Sequence, residues 1–256
     1  IDNNSKNILD EVILMNEFNE LNNYGQSENR YLTYEDVEKI AASKVRGSIL
    51  WMVFGLLISG VTGYFTLRGL YAGILPYQIV MVSWALEFVA VIAFTALTFK
   101  ASANVLRIIF ILYSVLTGVT LSGIGALYDP YVIISAFSGT VILFTILAIY
   151  GYITKEDLSK FKPILIVGLI ALIVMGLINI FLQSEGLIWI SSMLGVAVFI
   201  VFIAYDVNRI KNNVIAYAME EDASILDKIE IHGALALYLD FVNLFIYLLR
   251  ILGRRK

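Results

Sequence analysis

The chain contains no cysteine, one histidine and three prolines, and only 15% of its residues are charged. Without cysteine there is no disulfide, no thiolate metal site and no Cys nucleophile. The single histidine, His232, excludes a multi-His zinc or haem site. The shortage of charge excludes most. Soluble domains carry about 25% charged and about 45–50% apolar residues. Here 59% of the 256 residues are apolar and the mean hydropathy is +0.83. An ordinary soluble enzyme does not have this composition. A net charge of −3 leaves no basic footprint for nucleic acid.

The charge that exists is concentrated. Residues 1–46 hold nine acidic residues against five basic ones and are rich in Asn. This composition predicts a mostly flexible, solvated tail over 1–46, preceding a membrane domain over 47–256. No basic start precedes a continuous apolar core, so the tail does not read as a signal peptide. Thr33 with Asp36 three residues on has the form of a helix start. A helix is expected from about Tyr34 into the first membrane segment.

Beyond Arg46, runs long enough to cross hydrocarbon, about 20 residues each, follow one another. They lie near 48–67, 77–99, 104–127, 131–153, 163–182, 187–208 and 230–252. Pro76, Pro130 and Pro163 each stand just before such a run, where a missing N–H costs least. The expected fold is an all-α membrane protein of seven transmembrane helices in one bundle.

Basic residues set the expected orientation. Lys39, Lys44 and Arg46, then Lys100 and Arg107, then Lys155, Lys160 and Lys162, then Arg209, Lys211 and Lys228 mark alternate connections. The intervening connections hold only Arg68. The N-terminus is therefore expected in the cytoplasm. Arg250, Arg254, Arg255 and Lys256 run against this pattern. Either the earlier segments dominate, or the seventh enters the bundle without crossing it. Rows of small residues, Gly55-Ser59-Gly63 and Ser114-Gly118-Ser122-Ala126, mark faces where backbones pack closely.

Three carboxylates fall inside apolar segments: Glu87, Asp206 and Asp240. A charge at mid-bilayer costs roughly 2.5–3.5 kcal/mol on insertion scales, so each marks a candidate site. On the seventh segment Gly233, Ala236, Asp240, Asn243, Tyr247 and Arg250 recur at steps of three and four. One small-and-polar stripe on an otherwise apolar helix predicts that this helix is central, wrapped by the others. Ser192, Gly195, Phe199, Phe202, Asp206 and Arg209 share a face of the sixth segment. Ser83, Glu87, Phe94 and Thr98 share one on the second. These faces can meet in one core. Two carboxylates brought together there cannot both ionise cheaply, since at about 4 Å they repel by about 4 kcal/mol even at a dielectric of about 20. They share one proton and titrate as a unit. Stripped of protons, they offer oxygen ligands to a hard cation such as calcium.

The run Ala234-Leu-Ala-Leu-Tyr-Leu-Asp240-Phe-Val-Asn243-Leu-Phe-Ile-Tyr-Leu-Leu-Arg250-Ile-Leu-Gly253 resembles the signature of the Bax inhibitor family. So do Ala204-Tyr-Asp206-Val-Asn-Arg209-Ile210, Leu86-Glu87 and Leu116-Thr-Gly118-Val-Thr120-Leu-Ser122. The resemblance spans about residues 45–253. It implies seven helices with the last one central, and a pH-sensitive calcium leak. It implies that Asp206 and Asp240 form the proton-sensing pair and that Glu87 lies near the ion path. Bacterial relatives can carry an arginine near the end of the second segment that pairs with the aspartates. Here that stretch reads Thr98-Phe99-Lys100, so the cation is Lys100 reaching inward, or Arg209 or Arg250 in its stead.

Other readings fit less well. An intramembrane aspartyl protease needs Gly-x-Gly-Asp, and Asp240 follows Leu237-Tyr238-Leu239. A rhomboid-type protease would use Ser122-Gly123 with His232, but Thr120 stands where that motif wants glycine. A retinal protein needs a lysine between Ile229 and Leu252, and there is none. A transporter would show a repeat of broken helices. A non-conducting membrane regulator remains open. The expectation is a non-enzyme in a bacterial plasma membrane, or alternatively the endoplasmic reticulum. It would need no cofactor and bind calcium only transiently, at Asp206, Asp240 and Glu87. Its partners would be lipids, protons and calcium, with no nucleic acid and no protein partner named. Asn243 and Tyr247 would support the site.

Overall fold

A computed structural model describes residues 33–98, 100–218 and 223–253. The chain divides into two units, Ile1–Glu38 and Lys39–Lys256. Of the first unit the described part is the start of a helix, closed by a capping box. The Asp36 N–H donates to Thr33 Oγ1 at 3.2 Å, and the Thr33 N–H donates back to Asp36 Oδ2 at 3.1 Å. The flexible tail expected before it lies outside the described residues.

Among the described residues there are seven α-helices: α1 (Tyr34–Tyr71), α2 (Gln78–Leu97), α3 (Ala103–Gly125), α4 (Pro130–Ile153), α5 (Lys162–Leu182), α6 (Glu185–Ala218) and α7 (Ala223–Leu252). All seven are long and apolar enough to cross a membrane. A single 3₁₀ turn, Leu158–Phe161, leads into α5. Pro130 opens α4 behind Asp129, whose carboxylate accepts the Tyr131 N–H at 2.9 Å. Gln183, in the left-handed region at φ 47°, ends α5.

The helices alternate in direction. Lys44 of α1 meets Asp227 and Glu230 of α7 at one end of the bundle. At the other end Tyr128, after α3, packs on Gly253, after α7. The seventh helix therefore crosses from end to end, and Arg250 lies exposed at the end opposite Lys44. Residues 254–256 lie outside the described residues.

α7 is the central helix. Among its described side chains only Ser224, Arg250 and Leu252 are exposed, while Ala234, Leu237, Tyr238 and Leu244 are fully buried. The apolar side chains elsewhere point outward in large numbers, as on Leu57, Phe65, Trp84, Ile164 and Phe181. In hydrocarbon such exposure carries no hydrophobic penalty, and packing of small residues holds the helices together instead. Gly63 approaches the carbonyl of Gly118, Gly118 lies against Ser59 and Thr62, and Gly55 lies under Phe110 and Ser114. The two small-residue rows thus join α1 to α3.

Helices α6 and α7 outrun their apolar segments. α6 continues to Ala218 because Ile210, Val214 and Ala218, four apart, stay buried. α7 begins at Ala223, where Leu226 and Ile231 are buried and Asp227 and Glu230 pair with Lys44.

Candidate functional site

The polar stripe of α7 packs on the polar stripe of α6. Tyr247 covers Gly195, and its ring lies 5.9 Å from that of Phe199 in a stacked arrangement. Gly233 sits against Ile210, and the close approach leaves no space for a Cβ there. Between these two contacts lie Asp206 and Asp240, each only 4% exposed. Their carboxyls are within reach of one another for a side-chain hydrogen bond. Asp240 Oδ2 is buried without a hydrogen-bond donor, and Asp206 Oδ1 has no well-aligned hydrogen bond beyond its ion pair. Two carboxylates are both acceptors, so a bond between them requires a proton on one.

Arg209 supplies the local cation. Its Nη2 stands 3.1 Å from Asp206 Oδ1, and its guanidinium lies 5.5 Å from the centre of the Tyr205 ring. Of the three cations considered from the sequence, Lys100 is exposed in the turn after α2, and Arg250 stacks on Tyr247 at the far end. A carboxyl pair holding one proton would carry −1, which the +1 of Arg209 would balance. The helix matters here. The apolar run of the sixth segment ends near 208, only two residues past Asp206. In the structure α6 runs on for three further turns and Asp206 is deep inside it.

Glu87 lies apart from this pair. Its neighbours are Thr120, positioned to hydrogen-bond its carboxyl, and the hydroxyl-bearing rings of Tyr113 and Tyr238. Glu87 Oε1 and Thr120 Oγ1 are nonetheless both buried without a well-formed hydrogen bond. Among the described residues no three acidic, His or Cys side chains converge as a metal cage. Glu87, Asp206 and Asp240 therefore do not form one such cage among the described residues. The α2 stripe meets α7 at Tyr238 and His232 rather than at Asp240, because Phe94 and Thr98 pack on His232. Asn243 turns its amide onto its own helix, donating to Leu239 O at 2.8 Å.

Two polar clusters were not anticipated. Tyr238, fully buried, places its hydroxyl 2.6 Å from Ser59 Oγ, and Ser59 donates to the α3 carbonyl of Ser114. This ties α1, α3 and α7 beside Glu87. At the Lys44 end, Lys44 binds Asp227 and Glu230, and Arg107 of α3 stands 3.5 Å from Asp227. Tyr238 sits in the motif of the last segment and Ser59 in a small-residue row, but nothing local pairs them. Lys44 and Asp227 are 183 residues apart.

This arrangement, a carboxyl pair joining a central last helix to the sixth, coincides with a match in sequence. A family model described as "Inhibitor of apoptosis-promoting Bax1" matches residues 44–256. The chain belongs to the Bax inhibitor family. It is 39% identical over 218 residues to the inner membrane protein YbhL of Escherichia coli K12, covering 80% of this chain and 89% of that protein. It is 37% identical over 229 residues to an uncharacterized protein of Borreliella burgdorferi, covering 88% and 98%. A protein of Deinococcus radiodurans is 32% identical over 203 residues, covering 78% and 86%. This Bax inhibitor family member is thus a multi-pass integral membrane protein with bacterial relatives, one of them named for the inner membrane.

Proposed function

We propose that this protein is a pH-sensitive calcium leak channel of a bacterial plasma membrane, with its N-terminus in the cytoplasm. The observation that carries the reading is the apposition of Asp206 and Asp240, buried between α6 and α7 with Arg209 alongside. Burying two carboxyls in a membrane core brings no structural gain that an apolar pair would not give more cheaply.

The latch works through one proton. With a single proton shared, the O–H of one carboxyl donates to the other carboxylate. This charge-assisted bond fastens α6 to α7. A second proton removes the anionic acceptor, weakens the bond and frees the helices. Loss of both leaves two anions in a poorly screened core, which hold a cation between them or separate. Both changes disturb the latch, and it is the family likeness that implies more leak on mild acidification. Neither step is catalytic, and the chain is read as a non-enzyme.

The test is calcium flux into proteoliposomes across a pH series. Asp206→Asn and Asp240→Asn each keep shape while deleting one titrating group, and each should flatten the response. The double variant should be no flatter than the more affected single, because the two act as one unit. Wild-type profiles in both single variants would overturn the latch.

A further inference from the structure

We propose that the Lys44 end of the bundle carries a binding site for a phosphate-bearing anion, in the cavity between Arg209 of α6 and Lys228 of α7. The cavity measures about 550 Å³ and is lined by Arg209, Asn213, Tyr217, Ser224, Lys228 and His232. Small-ligand sites occupy about 300–1,000 Å³. Its polar lining is rich in donors and includes two permanent cations, one of which is already the partner of Asp206.

Charge accounting singles out Lys228. The nearby described carboxylates are engaged: Asp206 with Arg209, Glu230 with Lys44, and Asp227 with both Lys44 and Arg107. Lys228 is half-buried and makes no hydrogen bond or ion pair among the described residues. Arg209 and Lys228 line the same cavity, and an anion held there would neutralise both. The cavity also receives the first turn of α7, through Ser224 and Ile225. The N-terminal end of a helix dipole favours negative charge. Asn213 and Tyr217 offer neutral donors around the same space. Phosphate, with several acceptor oxygens and up to two negative charges, matches such a lining. It can arrive on an anionic lipid headgroup entering between helices, or free in solution.

Arg209 links this site to the aspartates. A bound phosphate competes with Asp206 for the same guanidinium, so removing the Asp206 charge should tighten anion binding. The proposal does not rest on the leak, since its readout is binding.

The experiment uses the full chain in two arms. In neutral detergent, inorganic phosphate is titrated by calorimetry. In nanodiscs of phosphatidylcholine with added phosphatidylglycerol, retained anionic lipid is counted by native mass spectrometry. Saturable binding at one site is expected in at least one arm, and the responding arm identifies the source. Lys228→Gln and Arg209→Gln should each weaken it tenfold or more, and Asp206→Asn should tighten it several-fold. Lys155→Gln, on the separate connection after α4, should leave it unchanged. Glu220, Glu221 and Asp222, in the connection outside the described residues, are the competing neutralisers. If they occupy the cations, wild type binds in neither arm and the proposal fails. Wild-type affinity in Lys228→Gln, or affinity in Asp206→Asn no higher than wild type, overturns it as well.

Discussion

At the scale of the residue, Glu87 and Asp157 show why burial decides which carboxyl can sense protons. Glu87 Oε1 is buried without a well-formed partner beside Thr120, Tyr113 and Tyr238. Such a group repays its burial only by meeting something mobile. Glu87→Gln should therefore lower calcium flux while the protein still inserts and unfolds at its usual temperature. Flux equal to wild type would make Glu87 a packing residue. Asp157 is the contrast. It is fully exposed, and hydrogen bonds from the Ser159 hydroxyl and backbone N–H hold its carboxyl below the usual range. A carboxyl depressed in the folded state stabilises its turn above the unfolded value, and that contribution is lost as pH falls through the folded one. Its titration is thus confined to acid pH and to one surface turn. Asp157→Asn should leave the pH profile of the leak where it is, and a profile displaced in this variant would move the sensor out of the core.

At the scale of the element, glycine spacing writes the packing into the sequence. The row Gly55-Ser59-Gly63 needs a matching row, and Ser114-Gly118-Ser122 is that row because both repeat at one turn of helix. A Cβ on Gly118 would meet the Ser59 carbonyl and the Thr62 side chain. Gly118→Val should cost about 1–3 kcal/mol by overpacking, read as a lower unfolding temperature in detergent. Gly60 has nothing within 4 Å of its added Cβ, so Gly60→Ala should unfold no lower than wild type. The same logic explains what was legible beforehand. The α7 stripe through Gly233, Asp240 and Tyr247 predicted a central helix, because small and polar groups at helical spacing must face protein. Helix ends were less legible. Hydropathy sees only the lipid-spanning part of α6, whereas its last ten residues are held by Ile210 and Val214 against the bundle. The identity of the cation beside Asp206 was open for a related reason. Arg209 reaches it only because α6 stays helical past Asp206, placing the two one turn apart. The meeting of Glu87 with Tyr238 instead of Asp240 depends on the rotation of α2 about its axis, which Phe94 and Thr98 set by packing on His232. No periodicity encodes that rotation.

At the scale of the whole molecule, charge divides the two ends of the bundle. The Lys44 end carries Lys44, Arg107, Lys160, Lys211 and Lys228, while the described basic residues of the other end are Arg68 and Arg250. Several at the Lys44 end are tied down as well: Lys211 donates to the Tyr152 carbonyl at 2.9 Å, and Lys44 and Arg107 converge on Asp227. Translocating this end would mean carrying a cluster of cations through the bilayer, whereas among the described residues the other end asks for two. The Lys44 end should therefore stay in the cytoplasm. Arg250 does not reverse this, because α7 follows six other helices in the chain and packs on α3, α4 and α6. The absence of cysteine makes the test direct. Lys160→Cys, at a side chain 56% exposed in the turn before α5, should react with a membrane-impermeant maleimide only after the cells are opened. Tyr71→Cys, 72% exposed at the opposite end, should react in intact cells. The reverse pattern would turn the molecule over in the membrane. It would also put the Arg209–Lys228 cavity on the outer leaflet, so this labelling decides from which side an anion reaches it.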